Sequence, residues 1–155
     1  MYVMGVIQSR RLGKSLGLDI IGSDGIKRCN FNCVYCEVGN GKYETVRGVY
    51  ANFDEAMSEL RKAYSSDIDV ITFSGNGEPT LSLDLGNYID SIKEFTDTPV
   101  CVITNSSLLS DSAVTDSLMK ADIVMPSIDS CLKKTFQKVD RPREIDLDTV
   151  KQAIV

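Results

Sequence analysis

Apolar residues along the chain form short β-branched runs that alternate with stretches of helical spacing. Residues 15–21 carry Leu16, Leu18, Ile20 and Ile21 and predict a strand, as do residues 69–73, 100–104 and 122–128. Between the first two runs, Phe53, Ala56, Met57, Leu60, Ala63 and Tyr64 recur every three or four positions and predict a helix with one buried face. Asn52 stands ahead of it as an N-cap, with Glu55 three residues on completing a capping-box pattern. Leu85, Tyr88, Ile89, Ile92 and Phe95 predict a second helix that closes before Pro99. Val114, Leu118 and Met119 mark a third, opened by Ser110 or Asp111. Leu132, Phe136 and Val139 mark a short fourth, and a last helical pattern begins near Asp146 with Leu147, Val150 and Ile154. Strands that are apolar throughout are buried on both faces, and helices between them imply βαβ units. The expected class is therefore α/β with a parallel sheet and about four β/α units.

One segment departs from this alternation. Residues 22–50 are polar, contain glycine and lie between the first strand and the first helix, too long for a plain connection. The 155 residues form a single domain over 1–155, without repeats or low-complexity tracts. No uncharged apolar run approaches the ~20 residues that span a bilayer. Arg10 and Arg11 follow the short N-terminal apolar stretch, whereas a signal peptide places its positive residues first, so a cytoplasmic protein without membrane contact is expected. With 17 basic and 22 acidic residues the net charge is −5, which offers no broad attraction to nucleic acid or anionic lipid. Arg10, Arg11, Lys14, Lys27 and Arg28 nevertheless flank the first strand as a basic cluster, read as a solvated rim or as a contact for an anionic substrate. Histidine is absent, which excludes Ser-His-Asp triads, Cys-His dyads and His-ligated zinc.

Five cysteines remain, an odd number in a chain without a secretion signal, which argues against a disulfide framework. Cys29, Cys33 and Cys36 lie in the long segment as C-x3-C-x2-C, within the string CNFNCVYC. A loop lets several sulfurs turn toward one ion or cluster, as iron–sulfur centres require. A structural zinc site uses four closed ligands, whereas three thiolates leave one metal position open, the arrangement of a reactive centre. Cys101 and Cys131 fall in or after later strands and are read as a buried strand residue and an incidental helix-start residue.

This pattern resembles the signature of the radical S-adenosylmethionine (SAM) family, C-x3-C-x2-C after the first strand with an aromatic residue, here Tyr35, before the last cysteine. The resemblance implies a partial (β/α) barrel. It also implies a [4Fe–4S] cluster on Cys29, Cys33 and Cys36, and SAM on the fourth iron. Reduction of the sulfonium then gives methionine and a 5′-deoxyadenosyl radical, in a dry pocket that protects the radical. An external one-electron reductant of flavodoxin or ferredoxin type is implied as partner. The string SGNGEPT over residues 74–80 is similar to the family's Gly-Gly-Glu turn, which holds the methionyl amine. Gly75 and Gly77 let the backbone approach a ligand, Glu78 is an acceptor for an ammonium group, and Asn76 is the departure from the pattern. Thr104 and Asn105 end the third predicted strand, and Ser127 and Asp129 the fourth; in the family, residues at these strand ends contact the ribose and carboxylate of SAM. A dinucleotide fingerprint fails because Thr80 replaces the third glycine. Gly39-Asn40-Gly41-Lys42 is not a P-loop, because Tyr43 replaces the Ser or Thr and no helix starts there.

Residues 9–17, SRRLGKSLG, and 136–142, FQKVDRP, are similar to Fe–S oxidoreductases related to wybutosine synthase. That likeness implies a tRNA substrate. The group also carries a second cluster on N-terminal cysteines, and no cysteine here precedes Cys29. An eight-unit barrel takes about 250 residues, roughly 31 per unit, so this chain holds about five and reads as an incomplete radical SAM domain. Its fourth predicted strand is then an exposed edge and its last helix carries uncovered apolar surface, so self-association is expected. Two classes of function follow. One is a radical SAM enzyme abstracting hydrogen from an unidentified substrate. The other is a non-catalytic iron–sulfur protein, an electron carrier or remnant.

Overall fold

In the computed structural model, which describes residues 1–154, the apolar runs assemble one open sheet of five strands in the order β1-β2-β3-β4-β5. The strands are β1 (Val3–Ser9), β2 (Gly13–Leu18), β3 (Val70–Phe73), β4 (Val100–Thr104) and β5 (Ile123–Pro126). The helices are α1 (Phe53–Ala63), α2 (Leu85–Phe95), α3 (Ser112–Leu118), α4 (Lys133–Val139) and α5 (Leu147–Ile154), with a 3-10 turn at Pro79–Leu81. β2 through β5 pair in parallel, as the apolar runs imply. The continuation of α5 through Val155 lies outside the described residues. No helix among the described residues is long and apolar enough to cross a membrane.

The sheet departs from the all-parallel expectation at one edge, where β1 pairs antiparallel with β2. Sequence pattern did not reveal β1, and its burial explains why: only Val3 is buried, and Met4, Val6 and Ile7 are exposed. An edge strand with a register shift between Val3 and Gly5 shows no clean apolar alternation. β2 also ends at Leu18 rather than Ile21, although Ile20 and Ile21 remain fully buried. Among the described residues the strands form one open, mixed sheet with interleaved helices, an arrangement consistent with part of a (β/α) barrel. β1 and β5 are the sheet's two edges, and the residues of β5 are only half buried or exposed.

The helices cover the sheet through the predicted faces. Asn52 caps α1, its side chain accepting from Glu55 N at 3.1 Å. The reciprocal half of the capping box is absent, because Glu55 accepts from the Tyr2 hydroxyl at 3.3 Å and Asn52 N donates to that same hydroxyl. Ala56, Met57 and Leu60 face the core, with acidic residues in the first turn and basic ones in the last, as the helix dipole favours. Glu59 on α1 accepts from the backbone of Tyr2 and Val3 and ties the chain start to the helix. Asp111, of the two candidates, caps α3.

A second, smaller core forms apart from the main one. Phe31, in the cysteine segment, packs edge-to-face on Phe136 of α4 with ring centroids 5.6 Å apart, and Leu147 and Val150 of α5 complete the cluster. Cys29 and Cys33 pack against it. Backbone bonds reinforce the contact: Asn32 N donates to Asp140 O at 3.0 Å, Val34 N to Val139 O at 2.8 Å, and Arg143 N to Asn30 O at 2.9 Å. The end of α4 thus acts as a rail for residues 30–34. Phe136→Ala is expected to cost about 3–5 kcal/mol locally. Its signature in hydrogen exchange is faster exchange at Asn32 and Val34 with β3 unchanged; uniform loss of protection would show that this small core is not a separate anchor.

Candidate functional site

The C-terminal ends of β2, β3, β4 and β5 meet at one edge of the sheet, and the 22–50 segment crosses it. Where β2 ends, Asp19 is buried and its Oδ1 accepts from Ile21 N and Gly22 N at 2.9 and 2.7 Å. Its Oδ2 accepts from Asn76 N at 3.0 Å, joining the loop after β2 to the loop after β3. A second joint follows nine residues on. Arg28 N donates to Asn76 O and Glu78 N donates to Arg28 O, both at 2.9 Å, so that Arg28 and Gly77 form a parallel bridge. On its other side the chain bridges Cys29 to Tyr43, with Glu44 N donating to Cys29 O. The first cysteine is therefore held by backbone from two directions.

This arrangement explains the glycines. A Cβ on Gly77 would stand 1.9 Å from Arg28 O, and a Cβ on Gly75, whose φ is +133°, would stand 2.4 Å from Asp19 Cγ. Both positions also line the cavity described below, but the close approach that demands glycine comes from this chain's own backbone and carboxylate. Asn76 donates through Nδ2 to Gly22 O and does not line the cavity.

Glu78 is 2% exposed and forms the centre of the site. Its Oε1 accepts from Thr80 N at 3.1 Å, from Thr80 Oγ1 at 2.6 Å and from Thr104 Oγ1 at 2.7 Å, and its Oε2 accepts from Asn105 N at 2.7 Å. Burial raises its pKa against the opposing pull of these donors. Glu78 thus fastens the turn after β3 to the end of β4, with a single partner on Oε2. Sequence reading gave it only an outward role.

A cavity of about 480 Å³ opens beside it. Of the residues singled out from the sequence, Cys29, Tyr35, Cys36, Gly75, Gly77, Glu78, Thr104, Asn105 and Ser127 line it, joined by Glu37, Val38 and Ile103. Cys33 and Asp129 do not. The Cys33 thiol points to Asp140 Oδ1 at 3.9 Å, and Asp129 accepts a short hydrogen bond from the Tyr35 hydroxyl. Ser127 N donates to Thr104 O at 2.9 Å, which keeps the ends of β4 and β5 together. Among the described residues, no three Cys, Asp or Glu side chains converge closely enough to hold a metal ion.

The chemistry of the donor set nonetheless suits a cluster. Burial pushes the Cys29 thiol up to about 11 and also raises Cys33, so both stay neutral until a cation offsets the charge of the thiolate. Two N–H groups already point at Cys29 Sγ, Phe31 N at 3.4 Å and Asn105 Nδ2 at 3.6 Å. Cys101 is fully buried in β4 and Cys131 is exposed after β5, both away from this wall. Asp140 is buried with Oδ2 unpartnered, and burial followed by its interaction with Asp129 holds its pKa well above the usual carboxylate range.

Three wall residues, Glu37, Val38 and Ile103, were not singled out from the sequence, nor were Asp19, Asn30 and Ser107, which brace the wall from behind; Asp140 falls in the FQKVDRP string but had no role read for it. Asp19 follows the end of β2 and Asn30 follows Cys29, which was the only signal for either, and Ser107 offered none. The basic cluster divides in the structure. Arg28 donates to Asp24 and to Ile21 O, and Lys27 to Asn32 and Gly39 O, so both brace the loop. Arg10, Arg11 and Lys14 lie at the β1–β2 turn, at the opposite edge of the sheet from the cavity.

Comparison with known proteins gives the family of the chain. The family profile described as "Radical SAM superfamily" matches residues 25–155. The chain is 43% identical over 157 residues to a protein named GTPase Obg from Brachyspira hyodysenteriae, covering 99% of this chain and 23% of that one. It is 38% identical over 141 residues to UPF0026 protein slr1464 from Synechocystis sp., covering 90% of this chain and 52% of that one. It is 27% identical over 128 residues to a protein named probable GTP 3′,8-cyclase from Saccharolobus islandicus, covering 81% of this chain and 40% of that one. The chain thus spans about half the length of the Synechocystis relative and less of the other two.

Glu78→Ala removes the acceptor for four buried donors, and a buried donor left unpaired costs ~1–3 kcal/mol. The expected result is a loss of roughly 3 kcal/mol or more, read as a lower urea midpoint. Stability equal to the parent protein would show that the carboxylate does not fasten these loops.

Proposed function

This chain belongs to the radical SAM superfamily, and we propose that it holds a [4Fe–4S] cluster on Cys29, Cys33 and Cys36 and binds SAM in the adjoining cavity, as a radical SAM enzyme. The observation that carries the reading is that Cys29 and Cys36 share one cavity wall with Gly75, Gly77, Glu78, Thr104, Asn105 and Ser127. These residues come from three separate strand ends and the cysteine segment. The cavity's size falls within the roughly 300–1,000 Å³ usual for small-molecule ligands. When bound, such a cluster supplies one electron to the sulfonium of SAM, which breaks to methionine and a 5′-deoxyadenosyl radical.

The chain's own contribution is placement and shielding. Cys33 lies off the cavity wall, so cluster binding requires its side chain to leave Asp140. Gly75 and Gly77 present bare backbone along the wall, where an amino acid moiety can pair with peptide groups. Glu78 keeps that turn and the end of β4 in fixed relation, and its Oε2 retains capacity for a further donor. Val38 and Ile103 put apolar surface at the rim, which favours exclusion of water around a bound ligand. The electron comes from an external flavodoxin- or ferredoxin-like donor.

The GTPase activity in the name of the Brachyspira relative is not carried over. The chain aligns with 23% of that protein, and neither of its Gly-Lys strings makes a P-loop: Gly13-Lys14-Ser15 opens strand β2 rather than a helix, and Gly41-Lys42 is followed by Tyr43 in the cysteine segment with no helix behind it. Guanine nucleotides and tRNA are the substrates to offer first. The Saccharolobus relative's name refers to GTP, and the likeness to the wybutosine synthase group points to guanosine in tRNA.

Anaerobic reconstitution is expected to yield about four irons and four sulfides per chain, lost on Cys→Ala at position 29, 33 or 36. Reduction with SAM is expected to release 5′-deoxyadenosine. Stable zinc without iron uptake would overturn the cluster; a loaded cluster releasing no 5′-deoxyadenosine would favour an electron carrier.

A further inference from the structure

We propose that Asn105 is a positioning residue for the Cys29 sulfur, and that its side-chain amide raises the reduction potential of a cluster bound there; the proposal rests on Cys29 being a cluster ligand, as in the preceding section. Three partners fix the orientation of the amide. Ser107 N donates to Asn105 Oδ1 at 3.0 Å, and a backbone N–H can only donate, so this atom is the oxygen. The other atom is therefore the NH2 group, with two hydrogens. One goes to Asn30 Oδ1 at 2.9 Å and the other to Cys29 Sγ at 3.6 Å, a normal length for the larger sulfur atom.

The partners are themselves locked. Asn30 is 1% exposed, and its own Nδ2 donates to Ser107 Oγ at 2.7 Å, which leaves its Oδ1 to face Asn105. The backbone of Asn105 donates to Glu78 Oε2, so the residue is held at main chain and side chain alike. Every hydrogen of the Asn105 amide has one acceptor, and rotating the group would set Oδ1 against both Asn30 Oδ1 and the sulfur. The N–H is consequently a fixed dipole with its positive end on Cys29. A fixed donor of this kind favours the more negative, reduced state of a thiolate-ligated centre, and hydrogen bonds to the sulfurs are among the determinants of iron–sulfur potentials. Thr104 and Ser127, on the same wall, have no sulfur contact and carry no such effect.

The test is a redox titration of the reconstituted protein followed by electron paramagnetic resonance, with dithionite as reductant and without SAM. Asn105→Leu removes the amide, and Asn105→Ser is a smaller change whose hydroxyl is too short to replace it should the leucine variant fold poorly. Ser107→Ala is the control: it breaks the Asn30 end of the network and leaves the backbone N–H of residue 107 and the Asn105–Cys29 contact in place. Both Asn105 variants are expected to keep their iron with the midpoint shifted to lower potential, and Ser107→Ala to titrate like the parent. Loaded Asn105 variants with an unchanged midpoint, or an equal shift in Ser107→Ala, would overturn the proposal while leaving the cluster assignment standing. Failure of the parent protein to take up iron would instead overturn the cluster assignment, and this proposal with it.

Discussion

The edge of the sheet where the chemistry is proposed depends on one buried carboxylate. Glu78 sits at the end of the turn after β3 and collects donors from its own turn and from the end of β4, so two loops that would otherwise move separately share one anchor. Isolated in an apolar interior such a charge would be costly, and the four donors offset that cost. The cysteine segment then attaches to the same turn through the Arg28–Gly77 bridge. Glycine at position 77 follows from the approach of the Arg28 carbonyl, so a backbone contact, fixed by a carboxylate, sets where Cys29 can lie.

The far side of the cysteine segment is held by different physics. Phe31 packs on Phe136, and the backbone of residues 30–34 runs along the end of α4. Cys29 lies between a polar anchor on the sheet and an apolar anchor on α4 and α5. Cys36 is anchored more lightly, with its N–H donating to Cys33 O at 3.2 Å and its carbonyl accepting from Gly39 N. Cys33 leans toward Asp140 and the small core. A segment fixed at one end and lightly held at the other can bring its thiols together when a metal centre supplies the compensating charge.

Much of this was legible in the sequence because it followed from periodicity. The four parallel strands and five helices stand where apolar spacing put them, since residues such as Ile71, Phe73, Ile89 and Val102 have only one way to leave water. β1 was not legible because an edge strand buries almost nothing and loses the alternation that identifies strands. The cavity wall was largely legible because C-x3-C-x2-C, Gly75–Glu78 and the polar strand ends are local strings. The supports were not. Asp19 reaches Asn76, Asn30 reaches Ser107 and Asn105, and Asp140 reaches Asn32, all across long stretches of chain, and no local pattern distinguishes such residues from ordinary turn residues. Tyr35, read as the aromatic residue of the cysteine signature, and Asp129, read as a contact for SAM, meet one another.

The central proposal is that three thiolates of this segment hold a cluster with one iron open, beside a cavity that takes SAM. Mössbauer spectroscopy of protein reconstituted with iron-57 tests it most directly, recorded with and without SAM. The account predicts that about one quarter of the iron signal shifts on addition of SAM while the remainder is unchanged, the mark of a single non-thiolate iron per cluster. Spectra identical in both conditions, from a fully loaded cluster, would contradict it.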